Sequence, residues 1–117
     1  MLEKKWDEGK FVCVGLDSDY KKIPEKVKEA TRDFFMVVSR FNQEIIQATK
    51  DLACAYKPNI AFYEAYGPDG IDALRYTVCK IHEFAPDVPV ILDAKRADIG
   101  STNDGYVQLV DYLKVDA

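Results

Sequence analysis

The sequence has few residues of the types that bind zinc or form disulfides. Its only histidine is His82, and its three cysteines, Cys13, Cys54 and Cys79, lack CxxC spacing. A zinc site needs three or four such ligands close together, so the sequence does not predict one. An odd number of irregularly spaced cysteines does not indicate a disulfide framework either. We therefore expect buried, reduced thiols in a cytoplasmic protein.

A basic surface and long apolar runs are also missing. The formal net charge is −4, and no basic face is evident that would bind a nucleic-acid backbone. No run approaches the length of about 18 apolar residues that spans a membrane, and the N-terminal stretch MLEKKWDEGK has no signal-peptide core. The composition, 48% hydrophobic and 31% charged, predicts a soluble globular domain without a nucleic-acid or membrane partner.

What the chain does contain is an alternation of strand and helix patterns. Apolar runs predict strands at 11–16 (buried on both faces), 53–59 and 88–92, and residues 115–117 predict the start of a fourth. Apolar residues three, four or seven apart predict helices over 24–51, over 71–84 after a turn at 67–70, and beyond a cap at Ser101 or Thr102. The first would be about 42 Å long, so we expect a break near Thr31, which can cap a second helix. This order predicts a parallel sheet covered by helices.

Charged residues stand where the three predicted strands end. Asp17 follows the first strand, Lys57 ends the second before Pro58, and Asp93 and Lys95 end the third. Residues two apart on a strand share a face, so Asp93 and Lys95 are predicted to be neighbours. An isolated surface pair of this kind contributes only about 0 to 1 kcal/mol. Functional groups of parallel α/β folds, however, collect at the carboxyl ends of the strands, so we predict an active site there.

Three motifs resemble a known family. The segment DAKRADIGST at 93–102 matches the Asp-x-Lys-x-x-Asp-Ile signature of orotidine 5′-phosphate decarboxylases, and CVGLDSD at 13–19 and YKPNIAFYE at 56–64 occur in the right order and separation. The last two resemble the longer, bacterial-type branch. The resemblance implies a (β/α)8 TIM barrel, of which residues 1–117 would be the N-terminal part: about three βα units and the start of strand 4. Because such a barrel takes about 250 residues, we expect a truncated chain that lacks the phosphate-binding half.

The resemblance also implies a reaction, the decarboxylation of orotidine 5′-monophosphate to UMP in de novo pyrimidine biosynthesis, without metal or organic cofactor. Lys95 would protonate C6 of the pyrimidine as carbon dioxide leaves. Asp93 would lie beside the substrate carboxylate, and Lys57 would bridge Asp93 and the ribose.

The remaining implied roles belong to a homodimer with shared active sites. Asp98 would reach across the dimer interface and complete an Asp-Lys-Asp-Lys array in the partner's site. Asp17 and Thr102 would contact ribose hydroxyls, with Thr102 also acting from across the interface.

Two alternatives stay open. One is a catalytically silent half-barrel that acts only by association with a complementary chain. The other is a magnesium-dependent sugar-phosphate lyase of the same superfamily, which shares the Asp-x-Lys-x-x-Asp pattern. The motifs at Cys13 and Tyr56 favour the decarboxylase over the latter.

Overall fold

The computed structural model describes all 117 residues, and its backbone alternates between strands and helices. The strands are β1 (Val12–Gly15) and β2 (Ala53–Lys57), and a 3-10 turn spans Tyr20–Lys22. The helices are α1 (Leu2–Asp7), α2 (Glu25–Lys28), α3 (Phe34–Thr49), α4 (Ala61–Glu64), α5 (Gly67–Phe84) and α6 (Gly100–Leu113). None of these helices is long and apolar enough to cross a membrane.

Strand β2 lies between β1 and a third extended segment, residues 88–93. β1 and β2 are parallel, and Gly15 lies opposite Lys57. The third segment pairs with the β2 side in parallel at two points, Tyr56 with Val90 and Asn59 with Asp93. Between them lies Pro58, which has no N–H to donate to the ladder. The proline therefore interrupts the pairing and leaves two separate bridges in place of a continuous strand.

Residues 115–117 continue the parallel order beyond the third segment. The Ala117 N–H donates to the Val90 carbonyl over 3.2 Å, and the Ala117 carbonyl accepts from the Leu92 N–H at 2.6 Å. This pair of bonds to residues on either side of Ile91 is the pattern of parallel strands. The expected fourth strand thus starts beside the third, and the spatial order follows the chain order.

The long helical stretch is broken as expected, but another residue caps the second helix. Asp33, and not Thr31, is the N-cap of α3, and its carboxylate accepts from the Met36 N–H at 2.8 Å. Thr31 instead accepts from the Asp33 N–H at 3.1 Å. Thr31 therefore supports the loop that presents the cap, since a cap must directly precede the first helical turn.

Two other helix starts also differ from the prediction. α5 begins at Gly67, so the predicted turn at 67–70 is its first helical turn. Proline is compatible with a first turn because the N–H it lacks would have no partner there, and Pro68 occupies that position. α6 begins at Gly100 with Ile99 as N-cap and no side-chain cap bond. Ser101 and Thr102 are thus inside the helix and do not cap it.

The core lies between the β2 side of the sheet and helices α3 and α5. Its fully buried side chains include Val37, Val38, Ile46, Tyr56, Ile60, Tyr63, Leu74, Val78 and Ile81. β1, in contrast, is not buried on both faces as predicted, since Val12 is 56% exposed. The reason is that β1 packs mainly against β2 and has no helix packed closely over its faces. For the cysteines, Cys54 is buried, whereas Cys13 on this edge strand and Cys79 are exposed, contrary to expectation.

Candidate active site

The carboxylate of Asp93 joins the ends of two neighbouring strands. Its Oδ2 accepts from the Lys95 ammonium at 2.5 Å and from the Lys57 ammonium at 3.4 Å. Asp93 belongs to the third segment and Lys57 ends β2, so the parallel pairing brings the two side chains together. Three of the residues singled out in the sequence therefore form one charged cluster.

The position of Lys57 follows from the residues around it. Ala53 and Ala55, on the same face of β2, are small and buried, which leaves room beside the lysine stem. The Lys57 carbonyl accepts from the Leu16 N–H at 3.1 Å. The end of β2 is thereby tied to the end of β1, directly before Asp17.

The two ammonium groups keep Asp93 ionised. The hydrogen bond from Lys95 lowers the pKa of the Asp93 carboxyl, desolvation partly opposes this, and Lys57 lowers it further. A lowered pKa means that the charged form is favoured by its neighbours. The cluster therefore presents one anion between two cations at neutral pH.

Lys95 has an unusual backbone conformation. Its φ is +52°, in the left-handed region, which costs a residue with a Cβ about 1–2 kcal/mol. Arg96 binds the backbone on one side, because its guanidinium donates to the Ala94 carbonyl over 2.7 Å. It also forms an ion pair with Glu64 on α4 and lies over the Tyr106 ring at 5.4 Å. These contacts hold the turn in which Lys95 reaches back to Asp93. The two side chains are neighbours as predicted, but through this turn and not through a shared strand face, because the extended segment ends at Asp93.

Asp98 and Thr102 do not join the cluster within this chain. The Asp98 carboxylate accepts from the Ile99 N–H at 2.7 Å and has no ion-pair partner. Asn103 accepts from the Asp98 N–H at 3.1 Å and donates to its carbonyl over 2.5 Å. The Thr102 N–H donates to the Ile99 carbonyl in the first turn of α6. Both side chains are thus left free of contacts with Asp93 and the two lysines.

Asp17 is exposed at the carboxyl end of β1, although both of its neighbours in the chain are buried. Leu16 and Ser18 have only 2% and 6% of their surface accessible. The Asp17 carboxylate makes no ion pair and stands at the same edge of the sheet as Lys57.

A buried polar network under this loop was not predicted. Asn42 on α3 contacts Ser18, Tyr63 on α4 and Thr77 on α5 through its side-chain amide. A signal for it exists in the sequence, because Asn42 is four residues from both Val38 and Ile46 on the buried stripe of α3. A polar residue in phase with such a stripe must find buried partners.

Side chains for a metal site do not come together in the structure. No group of three or more histidine, cysteine, aspartate or glutamate side chains is placed so that it could hold a metal ion. The carboxylate of Asp93 is already bonded to two ammonium groups.

Parallel extended segments in chain order, with helices between them and charged residues at their carboxyl ends, define part of a (β/α)8 barrel. Comparison with known proteins assigns the family. The family model described as orotidine 5′-phosphate decarboxylase / HUMPS family matches residues 10–117, and the chain belongs to that family. Both the fold class and the family resemblance expected from the sequence are confirmed.

Individual relatives agree with this assignment. The chain is 47% identical over 108 residues to orotidine 5′-phosphate decarboxylase of Parabacteroides distasonis and 50% identical over 107 residues to that of Herpetosiphon aurantiacus. These matches cover 92% and 91% of the chain but only 37% and 38% of the relatives. A solved structure of Leishmania donovani OMP decarboxylase superposes with a TM-score of 0.78 at 30% identity, covering 97% of this chain and 40% of that one.

Proposed function

We propose that residues 1–117 are the N-terminal part of one barrel domain of an orotidine 5′-phosphate decarboxylase, which converts orotidine 5′-monophosphate to UMP. The observation that carries the proposal is the contact of Lys95 and Lys57 with Asp93 at the carboxyl edge of the sheet, in a chain of this family. The chain spans 37% of the length of its Parabacteroides distasonis relative. The remaining barrel strands and the groups that bind the phosphate would come from beyond the matched region.

Lys95 is the proposed proton donor. The bond from C6 of the pyrimidine to its carboxylate breaks, the electron pair stays on C6, and carbon dioxide leaves. A proton then passes from the Lys95 ammonium to C6. An ammonium about 4 Å from the developing carbanion contributes about 4 kcal/mol at an effective dielectric of 20, or roughly three powers of ten in rate. No cofactor is required for this step, because the ammonium both stabilises the charge and supplies the proton.

Asp93 is proposed to raise the free energy of the bound substrate, and Lys57 is proposed to help bind it. Because its pKa is lowered, Asp93 is an anion when the substrate carboxylate arrives beside it. Repulsion between the two is relieved as carbon dioxide leaves, which favours the transition state over the bound substrate. Lys57 bridges Asp93 and the ribose, and its contact with Asp93 is long enough, at 3.4 Å, to be shared with a second acceptor.

Asp17, Thr102 and Asp98 complete the proposed site. Asp17 binds a ribose hydroxyl within its own chain, which its exposed carboxylate at the end of β1 supports. Thr102 and Asp98 act on the site of a second copy, and the lack of an ion-pair partner for Asp98 within one chain supports this. The active form is accordingly proposed to be a cytoplasmic homodimer.

The test is a decarboxylation assay that follows the loss of orotidine 5′-monophosphate absorbance. The purified chain is assayed alone and mixed with the part of the Parabacteroides distasonis relative that follows the matched region. We expect turnover in the mixture, and its loss when Lys95→Ala replaces the natural chain. Turnover that survives Lys95→Ala would remove Lys95 from the mechanism, and a mixture without turnover that is verified to be folded would contradict the proposed reaction.

A second candidate function is association alone, as a catalytically silent half-barrel. The observation that favours it is the open edge of β1, where Val12 is 56% exposed and the strand pairs only with β2. A protease-sensitive monomer that becomes resistant on addition of the complementary part, without turnover, would support this function. The magnesium-dependent lyase makes a different prediction, since a chelator would abolish its activity.

A further inference from the structure

Two buried hydrogen bonds hold the backbone on either side of Asp17. The Leu16 carbonyl accepts from the Tyr63 hydroxyl at 2.8 Å. The Ser18 hydroxyl donates to Asn42 Oδ1 over 2.5 Å. Tyr63 and Asn42 belong to α4 and α3, so two helices restrain a loop whose central residue remains exposed.

Asn42 connects both restraints in one network. Its Nδ2 donates to the Tyr63 hydroxyl over 3.0 Å and to Thr77 Oγ1 over 2.9 Å. The Tyr63 hydroxyl donates to the Leu16 carbonyl, and the Thr77 hydroxyl donates to the Ala73 carbonyl over 2.8 Å. Every polar atom of the Asn42 side chain is therefore used, and the residue is fully buried.

The direction of each bond in this network is determined. The hydroxyls of Tyr63 and Thr77 each donate their single proton to a backbone carbonyl. Toward Asn42 Nδ2 they can therefore act only as acceptors. If the amide were reversed, its oxygen would face two oxygens without a free proton, and its NH2 group would face Ser18. Reversal of the amide would therefore leave buried polar atoms unpaired, which keeps Asn42 in the orientation that accepts from Ser18.

Tyr63 remains a donor throughout the working pH range. Burial raises the pKa of its phenol to about 12, against the opposing hydrogen bond from Asn42. The bond to the Leu16 carbonyl therefore does not titrate near neutral pH.

We propose that Ser18 and Tyr63, which Asn42 joins in one network, are positioning residues that hold the Asp17 carboxylate in its binding orientation. The assignment of a nucleotide ribose as ligand rests on the proposed function. The network residues are buried, so their effect on the ligand is exerted through the Asp17 loop. That effect is to reduce the conformational freedom that the Asp17 loop would otherwise lose on binding.

The test compares three variants of the full chain that differ in where they cut the network. Ser18→Ala removes the restraint after Asp17, and Tyr63→Phe removes the one before it while the ring stays in place. Thr77→Val is the matched control, because it also deletes a buried bond to Asn42 but none to Leu16 or Ser18. The readouts are backbone 15N order parameters at residues 17–19, the carboxyl 13C shift of Asp17, and the dissociation constant for UMP by NMR titration.

We expect Ser18→Ala and Tyr63→Phe to lower the order parameters at 17–19 from about 0.85 towards 0.6 and to weaken UMP binding about tenfold. Thr77→Val should lower the melting temperature without either effect. Unchanged order parameters in both Ser18→Ala and Tyr63→Phe would overturn the inference, as would an equal loosening in Thr77→Val.

Asp17→Ala separates this inference from the proposed function. One outcome is that Ser18→Ala and Tyr63→Phe loosen the loop as expected while Asp17→Ala binds UMP with the affinity of the natural chain. In that case the proposed ribose contact is wrong, and the inference that the network restrains the loop stands. If Asp17→Ala weakens binding but the network variants leave both order and affinity unchanged, the inference fails and the proposed function stands.

Discussion

Lys95 reaches back over a left-handed backbone turn to donate to Asp93 Oδ2 at 2.5 Å. The same oxygen accepts from Lys57 at the longer distance of 3.4 Å. The two lysines therefore do not contribute equally to the charge state of Asp93.

This inequality predicts how the pKa of Asp93 responds to substitution. In the folded chain the pKa lies below its ordinary value of 3.8, and Lys95 is the larger cause. The stabilising contacts are thus present at pH values above the unfolded pKa and are lost as the pH falls through the lower folded pKa. We expect Lys95→Met to raise the pKa of Asp93 more than Lys57→Met does, as measured by carboxyl 13C titration. A larger rise in Lys57→Met would contradict the geometry.

The proposed shared site predicts complementation between two inactive variants. Asp98→Ala should lack the group that acts in trans, and Lys95→Ala the group that acts in cis. When the two are mixed in equal amounts, half of the dimers are hybrids with one intact site each, so about a quarter of the activity should return. The assay uses the mixture with the complementary part of the relative. Hybrid dimers that are verified by mass and remain inactive would rule out the shared site.

Substitution of Gly70 is predicted to cause a severe packing defect. A Cβ at this position would lie 1.8 Å from the Tyr63 carbonyl oxygen, whereas a Cβ at Gly105 on α6 would meet nothing within 4 Å. We expect Gly70→Ala to destabilise the chain by about 1–3 kcal/mol or more, because backbone must move. The control Gly105→Ala should stabilise it by about 0.5–1 kcal/mol through helix propensity. Urea unfolding measures both, and equal effects would contradict the close packing of α4 on α5.

The cysteines predict a graded reactivity with a thiol reagent. Cys54 is buried, and Cys13 and Cys79 are exposed. Burial of the thiol itself still raises the pKa of Cys13, which lowers its fraction of reactive thiolate. Under native conditions we expect Cys79 to react first, then Cys13, and Cys54 only after unfolding. Mass spectrometry of Cys79→Ser and Cys13→Ser variants identifies each step, and early labelling of Cys54 would contradict the position of β2.

Local sequence patterns were sufficient for the order of elements and for the family. The helical stripe of α5, with Leu74, Val78 and Ile81, is buried as its spacing indicates. The break before α3 was also predictable, although Asp33 takes the capping position expected of Thr31. Such features depend on a few neighbouring residues, whose periodicity and capping chemistry can be read without knowledge of the rest of the chain.

The sequence by itself determined the parallel α/β order, the family, and the charged residues to consider at the strand ends. Tertiary structure alone decided that Lys95 adopts a left-handed backbone, that the network of Asn42 lies beneath Asp17, and that the two lysines contact Asp93 at unequal distances. It also decided that β1 is exposed, because burial of a strand depends on its neighbours and not on its composition. Each of these features depends on distant partners, including the left-handed turn at Lys95, which is held by the contacts of Arg96 with Glu64 and Tyr106. Contacts between residues distant in the chain depend on how helices and strands pack, and no local pattern contains that information.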